Sequence, residues 1–263
     1  MGESVLISID DHVAHVTLNR PEKLNAVSLD MFDALGDAAQ ELAANSSIRA
    51  VVLSGAGKNF CAGIDVEIFQ KDGVAIDAES LQPVGTSPAN RFQRAAYGWR
   101  ELPVPVICAI TGVAYGAGLQ IAMGADLRYA SADARLSIME IKWGLIPDLG
   151  ISTTLRDILP VDRIKELAWS GRTVGGEEAL QLGLVTAVHD DPLRAAWDSA
   201  IAISAKSPDA IRSLKRLVNS TWQLSESEAL ALEAELQLGV LATENQLEAV
   251  SANIEKRSPV FKD

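Results

Sequence analysis

Two short apolar runs, each ending at a glycine, constrain the fold of this chain more than any other feature. Residues 49–54 form a β-branched run that leads into Gly55, and residues 105–110 form a second run that leads into Gly112. Segments with helical spacing of apolar residues also occur along the chain. Strands followed by glycines and helices are typical of crossover β/α units. The sequence therefore predicts an α/β fold.

The beginning and the end of the chain carry different patterns. Residues 5–9 and 12–18 alternate apolar and polar side chains around a two-residue turn, which predicts a β-hairpin. Ser28 is placed to cap a helix whose apolar residues recur at helical spacing. Helical spacing dominates the last hundred residues. We therefore predict a β/α core in residues 1–190 and a helical region in residues 191–263.

The composition limits the classes of partner. The chain has 263 residues, of which 48% are hydrophobic, enough for one large domain, or a domain plus an appendage, with a substantial core. Its net charge of -12 disfavours binding to nucleic acid or to anionic membranes. An anionic small ligand stays open, provided that basic groups or helix N-termini gather locally. We find no leader pattern and no run of about 18 apolar residues, so we expect a cytoplasmic protein, although a processed organellar enzyme would look the same.

The cysteines and histidines suggest no metal or nucleophile. Cys61 and Cys108 lie in apolar or small-residue surroundings without paired metal-ligand spacing, so we predict two buried thiols. His12 and His15 fall in the first hairpin, and His189 follows a predicted strand near the C-terminal region. None of the three lies near a motif. We therefore predict neither a metal site nor histidine catalysis.

Residues 71–103 form the least regular stretch. Glycines and prolines interrupt any long element there, and a helix is predicted only over about residues 90–102. Long irregular connections are more often functional or disordered than idle. The stretch is open to two interpretations, a lid beside a site or a plain surface loop.

Three chemical interpretations apply to the glycine-rich turns. Gly55, Gly57 and Gly63 do not have GxGxxG spacing, and GK[ST] is absent, so a dinucleotide or P-loop site is disfavoured. The glycines could simply allow close packing of helix on strand. A third interpretation is an oxyanion hole, because a strand, a small-residue loop and a helix start leave backbone N–H groups free. Residues 61–65 and 115–119 are the two candidate loops.

Five passages together resemble the signatures of the enoyl-CoA hydratase/isomerase (crotonase) family, in the same order and at the expected separations. They are residues 19–26 (NRPEKLNA), 54–65 (SGAGKNFCAGID), 112–118 (GVAYGAG), the pair 134–137 (ARLS) with 144–147 (GLIP), and 179–185 (ALQLGLV). The resemblance covers essentially the whole chain. It implies a spiral core of ββα units and a C-terminal helical region that forms a homotrimer, often as a dimer of trimers.

The resemblance also implies a chemistry. The backbone N–H groups of Ile64 and Ala117 would form an oxyanion hole that polarises an acyl-CoA thioester and holds its enolate. Family hydratases use two glutamates around an attacking water, at the positions of Gln120 and Glu140 here. The Gln120 amide cannot accept a proton from the attacking water as a glutamate could. The chain therefore departs from the hydratase pattern at this position.

Residues 57–65, the insert at residues 81–83 and residues 140–150 look closer to the dienoyl-CoA isomerase branch of the family. That branch has acidic residues at positions that map to Glu140, Asp148 and, as a third, Gln120. Two of the three are kept. Moving a single double bond needs only one base, so Glu140 alone could serve. We therefore predict an enoyl- or dienoyl-CoA isomerase.

Each of these side chains has a plainer interpretation. Glu140 could form a solvated surface pair with Lys142. Asp148 could be the N-cap of a helix that runs to Leu159. Gln120 could be an ordinary polar helix residue. However, a helix that starts at Ala117 would place Ala117 and Gln120 on the same face, toward the ligand.

The CoA moiety of the substrate has its own matching positions. Lys23 and Leu24 match family residues beside the pantetheine and the phosphates, and Ala62 and Asp65 match residues beside the adenine. Near the C-terminus, Phe261 and Lys262 match an aromatic–lysine tail that closes the nucleotide pocket of a neighbouring subunit, or else belong to a frayed end. No cofactor is implied apart from the coenzyme A of the substrate.

Three classes of function therefore stay open. The first is an acyl-CoA isomerase or related enolate-forming enzyme, with a weakened hydratase as its nearest alternative. The second is a non-catalytic acyl-CoA binder, which would bind the thioester without turnover. The third is a nucleotide-dependent oxidoreductase, which would retain NAD on purification. The motifs favour them in that order.

Overall fold

A computed structural model describes residues 3–69 and 78–263 of the chain. Its strands are β1 (Val5–Asp10), β2 (Val13–Leu18), β3 (Ala50–Gly55), β4 (Val106–Ile110), β5 (Val113–Tyr115), β6 (Leu127–Ala130), β7 (Arg135–Ser137), β8 (Val174–Gly175) and β9 (Ala187–Val188). Its helices are α1 (Leu29–Ala44), α2 (Arg94–Glu101), α3 (Ala117–Met123), α4 (Ile151–Thr154), α5 (Val161–Ser170), α6 (Gly176–Leu182), α7 (Pro192–Ser204), α8 (Pro208–Thr221), α9 (Glu226–Val240) and α10 (Glu244–Glu255).

A mostly parallel sheet organises the described part of the chain. Its six strands lie in the order β1-β2-β3-β4-β6-β9, and only the β1–β2 pair is antiparallel. A smaller sheet has the order β5-β7-β8. Helical crossovers join the parallel strands because such strands cannot be connected by a tight turn. The crossover β/α units predicted from the sequence are confirmed.

Both faces of the large sheet are covered. The main apolar core packs α1, α2 and α3 against one face and includes the fully buried Trp99 and Phe60. On the other face, Ala196 and Ala200 of α7 pack against Val52 and Ile107. Small side chains on α7 allow the helix to lie close to the strands. The predicted boundary at residue 190 coincides with the start of α7, and the division into two regions stays a prediction.

Several local predictions are confirmed and one boundary moves. The β1–β2 hairpin forms, and the Ser28 side chain accepts a hydrogen bond from the N–H of Met31 at the start of α1. The helix predicted over about residues 90–102 is shorter, Arg94–Glu101. Asn90 instead uses its side-chain oxygen to accept from the backbone of the turn that precedes the helix. Residues 70–77, part of the irregular stretch, lie outside the described residues.

The two cysteines are free and buried, as predicted. Burial raises the pKa of the Cys61 thiol to about 12 and that of Cys108 further still. Both thiols therefore stay protonated at neutral pH. Across residues 3–69 and 78–263, none of the helices has the length and apolarity needed to cross a membrane.

Candidate active site

The segment Cys61–Ile64 runs as an extra strand between two parts of the chain. The N–H of Cys61 donates to the carbonyl of Val113 at 2.9 Å, and Cys61 accepts from Tyr115 at 3.0 Å. On its other side, Gly63 accepts from Val27 at 2.8 Å. The segment is thus held along both edges, next to the carboxyl end of β5, where α/β folds commonly bind ligands.

Two backbone N–H groups stay free where this segment meets the start of α3. No backbone carbonyl in the described part of the chain accepts a hydrogen bond from Ile64 or Ala117. A Cβ atom on Gly63 would lie 2.8 Å from the Tyr115 carbonyl oxygen and 3.8 Å from the Ala117 nitrogen. The absence of a side chain at Gly63, where φ is +98°, lets the two loops approach. The role of these two N–H groups as an oxyanion hole stays a prediction.

A second glycine fixes the packing of α3. A Cβ atom on Gly118 would lie 2.4 Å from the carbonyl oxygen of Cys61, a distance that real side chains do not show. The helix therefore rests directly on the backbone of the Cys61–Ile64 segment. This contact holds the N-terminal end of α3 next to the Cys61–Ile64 segment.

Glu140 lies beside these free N–H groups. It is the first residue of a short 3-10 helix after β7 and is 9% exposed. A Cβ atom on Gly116 would lie 3.2 Å from its Oε1. Burial raises the pKa of the carboxyl, with a smaller contribution from the negative charge of Asp148. Because Glu140 is buried, the alternative of a solvated pair with Lys142 is wrong.

Gln120 is buried on α3 and contacts Glu140 directly. Its Nε2 donates to Glu140 Oε1 at 2.7 Å, and its Oε1 accepts from the N–H of Leu149 at 2.8 Å. The other carboxyl oxygen, Glu140 Oε2, is buried and has no hydrogen-bond partner among the described residues. The helix start at Ala117 brings Gln120 to this side, as predicted. The site therefore has one buried carboxylate, that of Glu140, and only one of its two oxygens is hydrogen-bonded to the Gln120 amide.

Asp148 belongs to the same loop but is more open. It remains exposed, yet the protein atoms crowded around its carboxyl raise its pKa. The prediction that it caps a helix running to Leu159 is wrong. The helix α4 begins after Gly150, which has a φ of +88°, and it ends at Thr154. Asp148 therefore lies in the loop that precedes α4, and its role in the reaction stays a prediction.

The candidate CoA loop, residues 20–25, lies next to the Cys61–Ile64 segment. The carbonyl of Leu24 accepts from the N–H of Ala62 at 2.9 Å, and the Leu24 side chain is exposed. Lys23 lies at the surface in an ion pair with Glu67, and this pairing raises its pKa. An anionic ligand would have to compete with Glu67 for the ammonium group. Lys23, Leu24 and Ala62 are thus brought together.

Asp65 has a structural partner that the sequence analysis did not single out. Its carboxylate accepts from the Arg20 guanidinium at 2.9 Å, and Arg20 also donates to the carbonyl of Ala26. Burial alone would raise the pKa of Asp65, but the hydrogen bond and the charge of Arg20 outweigh it, so the pKa is lowered. Arg20 thereby connects the candidate CoA loop to the residue that follows the Cys61–Ile64 segment.

Asn25 is the second residue that the sequence analysis missed. It is completely buried with a φ of +56°. Its Oδ1 accepts from the Arg20 N–H, and its Nδ2 donates to the carbonyls of Ala56 at 2.9 Å and Asn59 at 2.7 Å. Both Arg20 and Asn25 lie inside the motif at residues 19–26, so that motif was the available signal. A buried asparagine with every hydrogen bond satisfied rigidifies its surroundings.

The C-terminal tail is not brought to this site within the chain. The Lys262 backbone exchanges hydrogen bonds with the Asn245 side chain, and the Phe261 carbonyl accepts from Arg49. Arg49 precedes β3, whereas the candidate site lies beyond the opposite end of that strand. The alternative of a frayed terminus is wrong because the tail is hydrogen-bonded. The role of Phe261 and Lys262 toward a neighbouring subunit stays a prediction.

Comparisons with known proteins show the family of this chain. The family model described as enoyl-CoA hydratase/isomerase matches residues 8–263. The chain is 36% identical to YngF of Bacillus subtilis, named as an enoyl-CoA hydratase/isomerase, over 100% of this chain and 99% of that protein. It is 34% identical to the mitochondrial Delta(3,5)-Delta(2,4)-dienoyl-CoA isomerase of Mus musculus, over 97% of this chain and 80% of that protein.

A solved structure gives the same result for the fold. The crystal structure of an enoyl-CoA hydratase from Mycobacterium smegmatis superposes with a TM-score of 0.86 and 31% identity, covering 98% of this chain and 99% of that one. The predicted crotonase fold is therefore confirmed. The chain belongs to the enoyl-CoA hydratase/isomerase family.

Proposed function

We propose that this protein isomerises a double bond in an enoyl- or dienoyl-CoA thioester through an enolate. One observation carries the proposal. Glu140 is a single buried carboxylate beside two free backbone N–H groups, and the position from which a second glutamate would act holds Gln120. This arrangement suits removal and return of one proton better than addition of water, because an amide cannot act as a base.

The proposed reaction begins at the thioester carbonyl. Its oxygen accepts hydrogen bonds from the N–H groups of Ile64 and Ala117. Glu140 removes a proton from the carbon next to the carbonyl, and the electrons of the C–H bond move to the thioester oxygen. The N–H groups stabilise that oxyanion. The proton then returns to the far carbon of the conjugated system, which shifts the double bond.

Burial serves this role of Glu140. The protein environment raises the pKa of the carboxyl mainly by desolvation. A carboxylate with a raised pKa is a stronger base than an exposed one, and it releases the proton less readily to water. Proton transfer to and from carbon benefits from both effects.

Asp148 decides between two versions of the reaction. In a dienoyl substrate the proton travels along a longer conjugated chain, so a second acid near the far end is useful. Asp148 lies in the stretch that follows Glu140, its charge acts on the Glu140 carboxyl, and it matches an acidic position of the dienoyl-CoA isomerase branch. The similarity to the Mus musculus dienoyl-CoA isomerase supports this version.

A hydratase is the second candidate, supported by relatives such as the short-chain-enoyl-CoA hydratase of Clostridium acetobutylicum. Gln120 weighs against it, because the hydratase pattern needs a carboxylate at that position. A non-catalytic acyl-CoA binder would retain the oxyanion hole but turn over no substrate.

We further propose that Lys23, Leu24, Ala62 and Asp65 contact the CoA moiety, and that Phe261 and Lys262 close the pocket of a neighbouring subunit. This requires a homotrimer or a dimer of trimers. Large exposed apolar side chains on the C-terminal helices support subunit contacts there. They include Trp222, Leu230, Leu238 and Ile254, which are 71%, 65%, 74% and 76% exposed. The reaction uses no cofactor beyond the CoA of the substrate, and we place the protein in the cytoplasm.

The test is a spectroscopic assay of the purified protein on 3-enoyl-CoA, 3,5-dienoyl-CoA and 2-enoyl-CoA thioesters. We expect double-bond migration that Glu140→Gln reduces by about 10²–10⁴-fold. Hydration of the 2-enoyl thioester would show that Gln120 does not prevent water addition. Binding of all three thioesters without turnover would overturn the isomerase proposal and favour a binding role.

A further inference from the structure

The orientation of the Gln120 amide is fixed from both ends. The N–H of Leu149 can donate only to the carbonyl oxygen of the amide, which leaves the NH₂ group facing Glu140. The side chain is 2% exposed, so water does not compete for these bonds. An ordinary polar helix residue would not bond at the same time to the Glu140 carboxyl and to the Leu149 backbone.

Glu140 is divided by this contact into two unequal oxygens. Oε1 accepts from Gln120 at 2.7 Å and faces the backbone of Gly116, whereas Oε2 is buried and has no partner within the described residues. A buried carboxylate oxygen without a hydrogen bond is costly in a folded protein, so it needs an explanation. An oxygen kept free to receive a proton from carbon provides one.

We propose that Gln120 is a positioning residue that holds Oε1 of Glu140, so that Oε2 alone removes the substrate proton and returns it. This inference rests on the proposed isomerisation and deepens it. In the first step a C2–H bond breaks, an Oε2–H bond forms, and the electron pair moves to the thioester oxygen. In the second step the Oε2–H bond breaks and a C4–H bond forms. The proton stays on one carboxylate and on one face of the substrate throughout.

This role predicts direct transfer of an isotopic label. A 3-enoyl-CoA deuterated at C2 is converted in ordinary water, and the deuterium at C4 of the product is measured by mass spectrometry. In the wild type we expect most of the label to be retained, because Oε2 is buried and the bound substrate covers it. In Gln120→Met, which keeps the volume but lacks the amide, we expect retention to fall several-fold and kcat to fall about tenfold or more. KM should change less than about twofold because the candidate CoA contacts lie elsewhere.

Two further variants accompany Gln120→Met: the first controls for folding, and the second tests the effect of a carboxylate at residue 120. Ile121→Met changes the buried neighbour on α3 to the same residue type and should leave label retention, kcat and KM at wild-type values. Gln120→Glu keeps the shape and the acceptor for Leu149 but places a second carboxylate against Glu140. Because two carboxylates at this distance share a proton, we expect an altered pH profile of isomerisation and a gain of 2-enoyl-CoA hydration. Equal label retention in the wild type and Gln120→Met would overturn the proposal.

A measurement without substrate separates this proposal from the proposed function. Carboxyl ¹³C NMR follows the titration of Glu140 in the ligand-free protein, with Glu140→Gln to assign the resonance. The Gln120 hydrogen bond favours the ionised carboxyl, so its removal in Gln120→Met should raise the pKa of Glu140 further. An unchanged pKa would contradict the positioning role, even if isomerisation is confirmed. A raised pKa in a protein that isomerises nothing would leave Gln120 as the holder of Glu140 and reject the isomerase.

Discussion

Gly116 leaves room for the carboxyl of Glu140, because a Cβ atom at residue 116 would lie only 3.2 Å from Oε1. The φ of Gly116 is +49°, a value that residues with a side chain rarely adopt. We expect Gly116→Ala to cost about 1–3 kcal/mol of stability and to displace the carboxyl of Glu140 from its position beside the candidate oxyanion hole. Isomerisation kcat should fall at least about tenfold, measured by the spectroscopic assay.

A matched glycine separates displacement of the carboxyl from backbone strain. Gly85 has a φ of +63°, and a Cβ atom there would meet nothing within 4 Å. Gly85→Ala should therefore show a similar loss of stability with wild-type kcat. If both variants lose activity equally, the contact between Gly116 and Glu140 is not what supports catalysis.

Asp148 distinguishes the two isomerase reactions. Asp148→Asn keeps the shape of the side chain but removes the acid that we propose acts at the far end of a dienoyl substrate. We expect 3,5-dienoyl-CoA isomerisation to fall by about 100-fold or more, while 3-enoyl-CoA isomerisation stays within about threefold of the wild type. Parallel kcat/KM measurements on the two thioesters test this. Equal losses on both substrates would contradict a role specific to the longer proton transfer.

Glu140 should cost the protein stability at neutral pH. Its folded pKa lies above the ordinary value of 4.5, so between these two pKa values the native state binds more protons than the unfolded state. The free energy of unfolding therefore falls as pH rises through that window. Glu140→Gln should raise Tm at pH 7 by about 2–4 °C, equivalent to about 1 kcal/mol. The gain should vanish below pH 4.5, and a gain that persists there would show that it does not come from ionisation.

The ion pair between Arg20 and Asp65 should behave in the opposite way. The pKa of Asp65 is lowered, so the stability that the pair contributes is present at neutral pH and is lost as pH falls through the folded pKa. Arg20→Met leaves a buried carboxylate without its cation and should cost about 1–3 kcal/mol at pH 7 in chemical denaturation. The loss should shrink on acidification.

An exposed ion pair provides the comparison for Arg20. Arg194 pairs with Asp198 one helical turn away, and their side chains are 74% and 58% exposed. Arg194→Met should change stability by less than about 0.5 kcal/mol at any pH. A loss as large as that of Arg20→Met would mean that burial of Asp65 is not the cause.

The backbone of the candidate site was predictable because it depends on small residues at fixed spacing. The sequence analysis placed Ile64 and Ala117 at free N–H groups and Gln120 on the helix that starts at Ala117. These positions follow from local strand and helix patterns together with the family motifs. The structure brings all three together with Glu140, and their roles in the reaction stay predictions.

The remaining features depend on contacts between residues distant in sequence. The direction of the Gln120 amide is set by Leu149, 29 residues away, and no local pattern contains that information. The alternative of a helix cap at Asp148 is wrong because Gly150, and not Asp148, is the residue that precedes α4. The docked position of the C-terminal tail depends on Asn245 and on Arg49, which lies more than 200 residues from Phe261.

Asn25 has a consequence for engineering. Its amide holds the candidate CoA loop against the turn that precedes the Cys61–Ile64 segment. A mutant library that randomises residues 20–25 to change the preference for the CoA ester would therefore also disturb the proposed oxyanion hole in most of its members. Libraries that keep Arg20 and Asn25 unchanged would preserve the backbone of the candidate site while they vary the side chains that are proposed to contact CoA.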